Sequence, residues 1–189
     1  MRDNKLGGKV YVAYRHHTSD HQLSLFGEQP KPASYRDPPQ IQSVSIYRVT
    51  LVRESSIPIH DQRIRNSADS ERLIRTYLAG VDREHFIDLL VNRKNEVIGI
   101  NTVSVGSLIT SVVSPREVFK PAILSNAAAL IAAHNHPSGD PKPSPEDRAL
   151  TVRLHDAGKL LDIPVLDHII IGDGAEAYYS FADNGKLTG

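Results

Sequence analysis

His134-Asn135-His136-Pro137-Ser138-Gly139-Asp140-Pro141-Lys142-Pro143-Ser144-Pro145-Glu146-Asp147 is the stretch on which the reading of this chain turns. It follows Ala128 to His134, a nearly continuous apolar run of the kind found in a strand buried on both faces. Side chains two apart on a strand share a face and lie about 6.6–7 Å apart along the chain. His134 and His136, at a strand end, can therefore converge on one ion, because zinc–nitrogen bonds of about 2.0–2.1 Å and the length of the imidazoles close that gap. Asn135 points the other way. The pair alone is a short pattern, and two loop histidines would look the same.

A third ligand has to come from another element. Ser144 is a good N-cap, Pro145 suits the first helical position, and Asp147 falls at the third. Leu150, Leu154, Ala157 and Leu161 mark the buried stripe of a helix running from Pro145 to about Leu161. Asp147 lies one turn before Leu150, so it is expected to face the body of the domain. A reciprocal cap between Ser144 and Asp147, with Asp in place of the usual Glu or Gln, is the commoner use of such a pair. An inward carboxylate still needs a partner, and a cation is a natural one. His, His and Asp with an open fourth position describe a catalytic rather than a structural zinc site.

Outward from this stretch the pattern is that of an α/β (α+β) domain with a mixed β-sheet flanked by helices. Val44 to Val52 is rich in β-branched and aromatic residues and reads as a strand. A helix follows, capped by Asn66 or Ser67 and ended by Gly80, with Leu73, Ile74, Tyr77 and Leu78 at helical spacing. Phe86 to Val91 and Val97 to Val105, separated by the polar turn Asn92 to Asn95, read as a hairpin. Leu108 to Val113 reads as a further strand, and Pro115 begins a helix to about Ser125 in which Pro121 is an expected kink. Val165 to Ile171 reads as a buried strand and Ala177 to Phe181 as an edge strand.

The chain has 189 residues, about one domain at ~150 residues each, with room for an extension. Pro30, Pro32, Pro38 and Pro39 give residues 1–40 the composition of a flexible arm and linker, ahead of a domain over residues 41–183 and a tail over 184–189. His16, His17 and His21 in that arm read as solvated surface residues. There are no cysteines, which removes disulfides, thiolate nucleophiles and thiolate metal sites. Twenty-two basic residues balance twenty-two acidic ones. Zero net charge argues against a dedicated nucleic-acid or anionic-membrane binder, while leaving a local basic patch open. No apolar run reaches 18 residues and the N-terminus lacks a signal-peptide stretch, so a soluble cytoplasmic protein with no membrane partner is expected.

His134, His136, Ser144 and Asp147 match the JAMM motif of MPN-domain metalloproteases. The longer string His134 to Asp140, with Pro143-Ser144, Asp167-His168-Ile169-Ile170-Ile171-Gly172 and Pro115-Arg116-Glu117-Val118-Phe119, resembles the bacterial RadC family over about Ser67 to Phe181. The resemblance implies an MPN/JAMM, cytidine-deaminase-like architecture and one Zn2+ per chain on His134, His136 and Asp147. It implies a peptide or isopeptide bond cleaved through a water activated by the metal. It also implies a glutamate upstream as general base. Glu84 fits that place about 50 residues before His134, although by residue type alone Asp82-Arg83-Glu84 is a polar turn and Asp140, Glu117 and Glu146 compete. Ser144 would donate a hydrogen bond to the oxyanion. Longer RadC proteins carry an N-terminal helix-hairpin-helix-like region, and the first 40 residues show none.

Asp167-His168 lies in an apolar run, where the first reading is a hydrogen-bonded core pair and the second a role in orienting a metal ligand. His85 and His155 read as partly exposed, and Arg116 and Lys120 as a solvated helix face. Two other functions remain in view: a non-catalytic MPN-type binding module, and a DNA-repair or mobile-element accessory protein. The complete ligand set weighs against the first, and the neutral charge against direct DNA contact in the second. The letters His-Asn-His are not an HNH nuclease motif, whose residues spread over a longer hairpin and helix.

Overall fold

Alternation along two strands organises the whole domain. In β1 (His85–Val91), Ile87, Leu89 and Val91 face one way and Phe86, Asp88 and Leu90 the other. In β3 (Ala129–Asn135), Ala129, Ile131 and Ala133 join the first set, and Leu130 and Ala132 join the second. Both faces are buried, so helices must cover both. Helix α1 (Ser67–Tyr77) covers one with Leu73 and Ile74. Helices α2 (Pro115–Leu124) and α3 (Pro145–Leu161) cover the other with Val118, Phe119 and Ala122, and with Leu150 and Leu154. The remaining strands are β2 (Val97–Val105), β4 (Val165–Ile171) and β5 (Tyr178–Ser180), and the sheet order is β2-β1-β3-β4-β5. Among the described strands only the β3–β4 pair is parallel, joined through α3, which makes the sheet mixed as expected.

The computed structural model describes residues 44–59, 61–106, 113–174 and 177–187, and all the named elements lie in one compact unit within Tyr47–Gly189. The expected strand at Leu108 to Val113 falls almost wholly outside the described residues, as do the arm and its three histidines. Among the described residues no helix is long and apolar enough to cross a membrane.

The stretch Val44 to Val52 does not form the expected strand. It is irregular and exposed, with Val44 at 92% and Ile46 at 97% of full accessibility. Strand propensity has force only where a neighbour supplies the ladder. The chain does form one isolated bridge just ahead of β2, Arg63 opposite Glu96. Continued toward the N-terminus, that pairing meets Pro58, which has no N–H to donate. The stripe of α3 also differs at its end. Leu161 is 41% exposed, and the buried positions are Asp147, Leu150, Thr151, Leu154 and Gly158. Gly158 carries the close approach there, since a Cβ would meet the Ile163 carbonyl at 2.7 Å and the Phe119 ring at 3.3 Å. Helix α1 is capped by the Asn66 side chain and ends before Gly80, whose φ is +79°. Pro121 does not interrupt α2.

Asp88 is a fully buried acid in the middle of β1. Burial pushes its carboxyl up to about 8, with the Asn101 side chain across the β1–β2 ladder offsetting part of the effect. The folded state therefore holds this proton more tightly than the unfolded chain. The associated stability is fully present below about pH 4 and is lost as pH rises toward 8. Asp88→Asn keeps the shape without the charge. Urea unfolding at pH 5, 7 and 9 should show the wild type losing stability on the alkaline side and the variant holding a flatter profile.

Candidate metal centre

The same alternation that builds the core carries the site. His134 continues the Leu130–Ala132 face of β3 and is fully buried against Phe86, its partner across the β1–β3 ladder, with ring centroids 5.8 Å apart. His136 follows two residues on, past the strand end. Helix α3 packs on this face, so its first turn arrives beside the two imidazoles. His134 Nε2 lies 3.0 Å from His136 Nε2 and 3.2 Å from Asp147 Oδ1, and His136 Nε2 is 3.6 Å from Asp147 Oδ2. These three residues form the metal-compatible cluster among the described residues.

Asp147 does two things at once. Its Oδ2 accepts from the Ser144 N–H at 2.7 Å and from the Ser144 hydroxyl at 2.6 Å, while its own N–H donates to Ser144 Oγ at 3.1 Å. This is the reciprocal cap of α3, and it coexists with the inward orientation. Oδ1 is left buried with no hydrogen bond. Burial works to raise the Asp147 carboxyl, but the neighbouring His134 and His136 rings and the Ser144 hydroxyl outweigh it and hold the group well below the usual carboxylate range. The carboxylate in turn raises the His136 imidazole, with Glu84 adding to the effect.

The donor set fits a divalent cation. Tetrahedral ligands at about 2.05 Å stand about 3.3 Å from one another. The two separations that share His134 Nε2, 3.0 and 3.2 Å, lie just under that value, and His136 Nε2 stands 3.6 Å from the other Asp147 oxygen. His136 Nδ1 lies 2.7 Å from the Asp140 carbonyl. A carbonyl can only accept, so the proton sits on Nδ1 and Nε2 presents a lone pair. Gly172 keeps that carbonyl in place. A Cβ at Gly172 would meet the Gly139 carbonyl at 2.4 Å and Pro141 Cδ at 2.7 Å, so a side chain there would displace the loop that holds Asp140.

Glu84 is the residue just before β1. The ladder ends with Phe86 opposite His134, and the Glu84 carboxylate two residues earlier contributes to the raised His136 imidazole. Asp140 turns its carbonyl to His136 while its carboxylate accepts from Lys142 N; Glu117 pairs with Lys120 and Arg116 at the surface; Glu146 is exposed. Sequence reasoning missed the part played by Asn135. Its side chain points away from the imidazoles, as expected, and there its Oδ1 accepts from His85 N at 2.8 Å while its Nδ2 donates to Arg83 O at 3.0 Å. The two bonds bracket Glu84. Only the strand register makes them possible, so no spacing signal reveals them.

The Asp167–His168 pair is not the core pair first expected. The Asp167 carboxylate bonds Ser180 Oγ, Ala182 N and the His168 backbone N, and burial raises it despite those bonds. The His168 ring instead reaches His134 Nδ1 at 3.0 Å and Thr151 Oγ1 at 2.7 Å, and its burial pushes its pKa well below the ordinary imidazole value. His85 and His155 are part-buried and stand apart from the cluster. Beside His136 a cleft of about 430 Å3 opens, with Gly80, Arg83, Asn135, Pro137 and Gly172 on its walls.

The family profile described as "RadC-like JAB domain" matches residues 64–186, roughly two thirds of the chain. The chain belongs to the RadC family. The RadC relatives include the UPF0758 protein of Rubrobacter xylanophilus, 48% identical over 140 residues, covering 74% of this chain and 59% of the relative. The UPF0758 protein of Moorella thermoacetica is 56% identical over 111 residues, covering 59% and 48%. That of Desulforamulus reducens is 56% identical over 110 residues, covering 58% and 48%. This RadC chain thus spans about half to three fifths of the length of the curated relatives it matches.

Asn135→Ala removes both bonds that bracket Glu84. The His85 amide should exchange with solvent measurably faster, and the domain should lose about 1–2 kcal/mol in denaturant titration. An unchanged His85 amide would mean the bracket does not hold the turn.

Proposed function

We propose that this RadC domain is a metal-dependent hydrolase of amide bonds, with one zinc per chain held by His134 Nε2, His136 Nε2 and the Asp147 carboxylate. The observation that carries the reading is the approach of His134 Nε2 to His136 Nε2 at 3.0 Å and to Asp147 Oδ1 at 3.2 Å, with His136 Nε2 3.6 Å from the other Asp147 oxygen and Glu84 helping to raise the His136 imidazole. A zinc ion in such a site supplies Lewis acidity and lowers the pKa of the water it polarises toward about 7.

The chain's own residues do the rest. Glu84 takes the proton from the attacking water on its carboxylate and passes it to the nitrogen of the leaving amine. Asn135 keeps the Glu84 backbone from drifting, which matters because a proton acceptor must stay within hydrogen-bond reach through both transfers. Ser144 Oγ turns its proton from Asp147 Oδ2 to the developing oxyanion, while its acceptor side keeps the Asp147 N–H and so keeps the helix capped. Phe86 and Phe181 wall the buried side of the cluster and keep water off it.

Elemental analysis of the purified protein should find about one zinc per chain, absent from His136→Ala and Asp147→Ala; a metal-free wild type after incubation with zinc would overturn the reading. Glu84→Gln should retain zinc and lose turnover on a cleavable peptide. Ser144→Ala should slow turnover about 10²–10³-fold, as expected for loss of an oxyanion donor. The same change should cost about 1 kcal/mol of stability through the lost cap.

A further inference from the structure

We propose that Thr151 and His168 are positioning residues that fix the proton of His134 on Nδ1, so that its Nε2 always presents a lone pair toward His136 and Asp147. The consequence for metal affinity rests on the reading above, whereas the proton placement does not.

The argument follows single protons along a buried string. The Thr151 hydroxyl has one. It lies 2.7 Å from the Asp147 main-chain carbonyl, one helical turn back, and that carbonyl can only accept. With its proton directed there, Thr151 Oγ1 can only accept from its other neighbour, His168 Nδ1, at 2.7 Å. His168 therefore carries its proton on Nδ1. The ring is fully buried, stacked on Phe181 at 5.1 Å and tilted against Phe86 at 5.5 Å, with the Asp167 carboxylate turned elsewhere. A second proton on this ring would have no carboxylate in contact to balance it, so His168 stays neutral and its Nε2 accepts. The neighbour of that Nε2 is His134 Nδ1 at 3.0 Å, which must donate. One proton per group is used, and none is left for His134 Nε2.

A lone pair on His134 Nε2 would face the buried Asp147 Oδ1, which lies 3.2 Å away. The Asp140 carbonyl imposes the same tautomer on His136 from outside the core. Both imidazoles are thus set, by unrelated devices, to turn lone pairs toward one carboxylate. Three acceptors then face each other with no donor among them, an arrangement that a cation relieves.

The test uses the full chain with 15N-labelled histidine. At about pH 8, where an imidazole of ordinary pKa ~6.5 is neutral, long-range proton–nitrogen spectra of the cation-free protein should show His134 and His168 both protonated on Nδ1. Protonation of His134 on Nε2 would overturn the proposal. Zinc affinity, measured by competition with a chromogenic chelator, should fall about 10–100-fold in Thr151→Val and recover in Thr151→Ser. Wild-type affinity in Thr151→Val, with its fold intact by circular dichroism, would overturn the positioning role. A wild type with both protons on Nδ1 but no affinity for zinc would sink the hydrolase reading and leave the proton placement standing.

Discussion

Asp147 ties the helix to the site. One oxygen of its carboxylate closes the N-terminus of α3 through Ser144, and the other faces two imidazoles from β3. The two tasks are compatible because the helix begins where the strand ends, on the same face of the sheet. A helix N-terminus favours a negative charge. The charge that caps α3 is therefore available to the imidazoles without an added cost of bringing an anion into the core. Moving the start of α3 by one residue would rotate the carboxylate about 100° around the helix axis and separate the tasks.

Around that carboxylate the domain reserves an unusual amount of buried polarity for one end of the sheet. His134, His168 and Thr151 are fully buried, and Asp147 nearly so. Each has a partner drawn from a different element: β3, β4 and α3. Apolar rings from Phe86 and Phe181 close the cluster, so its hydrogen bonds act in a medium where they are strong and where a missing one is costly. On the other face, Asn135 ties the turn before β1 to the end of β3. The site is thus braced from both sides of a single strand, with alternate residues His134, Asn135 and His136 serving opposite faces.

The residues of the metal-compatible cluster could be read from residue types and spacing because they obey local rules. Two-residue alternation puts His134 and His136 together, and cap statistics put Ser144 and Asp147 at a helix start. The hairpin, the two later helices and the buried β4 followed from periodicity in the same way. Reading failed where a local preference needed a distant partner. Val44 to Val52 has the composition of a strand and no ladder to join, with Pro58 interrupting the route to β2. Leu161 fits the helical stripe but lies past the point where α3 has something to pack on.

By itself the sequence determined the alternation of strands and helices, the shared face of His134 and His136 and the cap of Ser144 with Asp147, since these depend on neighbours within a few residues, and it carried the family resemblance in motifs spread from Ser67 to Phe181. It left open whether Asp167 and His168 bond each other, and it gave no sign of the bracket around Glu84. Those were decided by register. Pairing β1 with β3 at Phe86 and His134 brings Asn135 onto the backbone on either side of Glu84, and packing α3 against β4 sets Thr151 on His168. Register depends on the whole sheet closing its two cores at once, because a shift of one residue would turn every buried side chain to the wrong face.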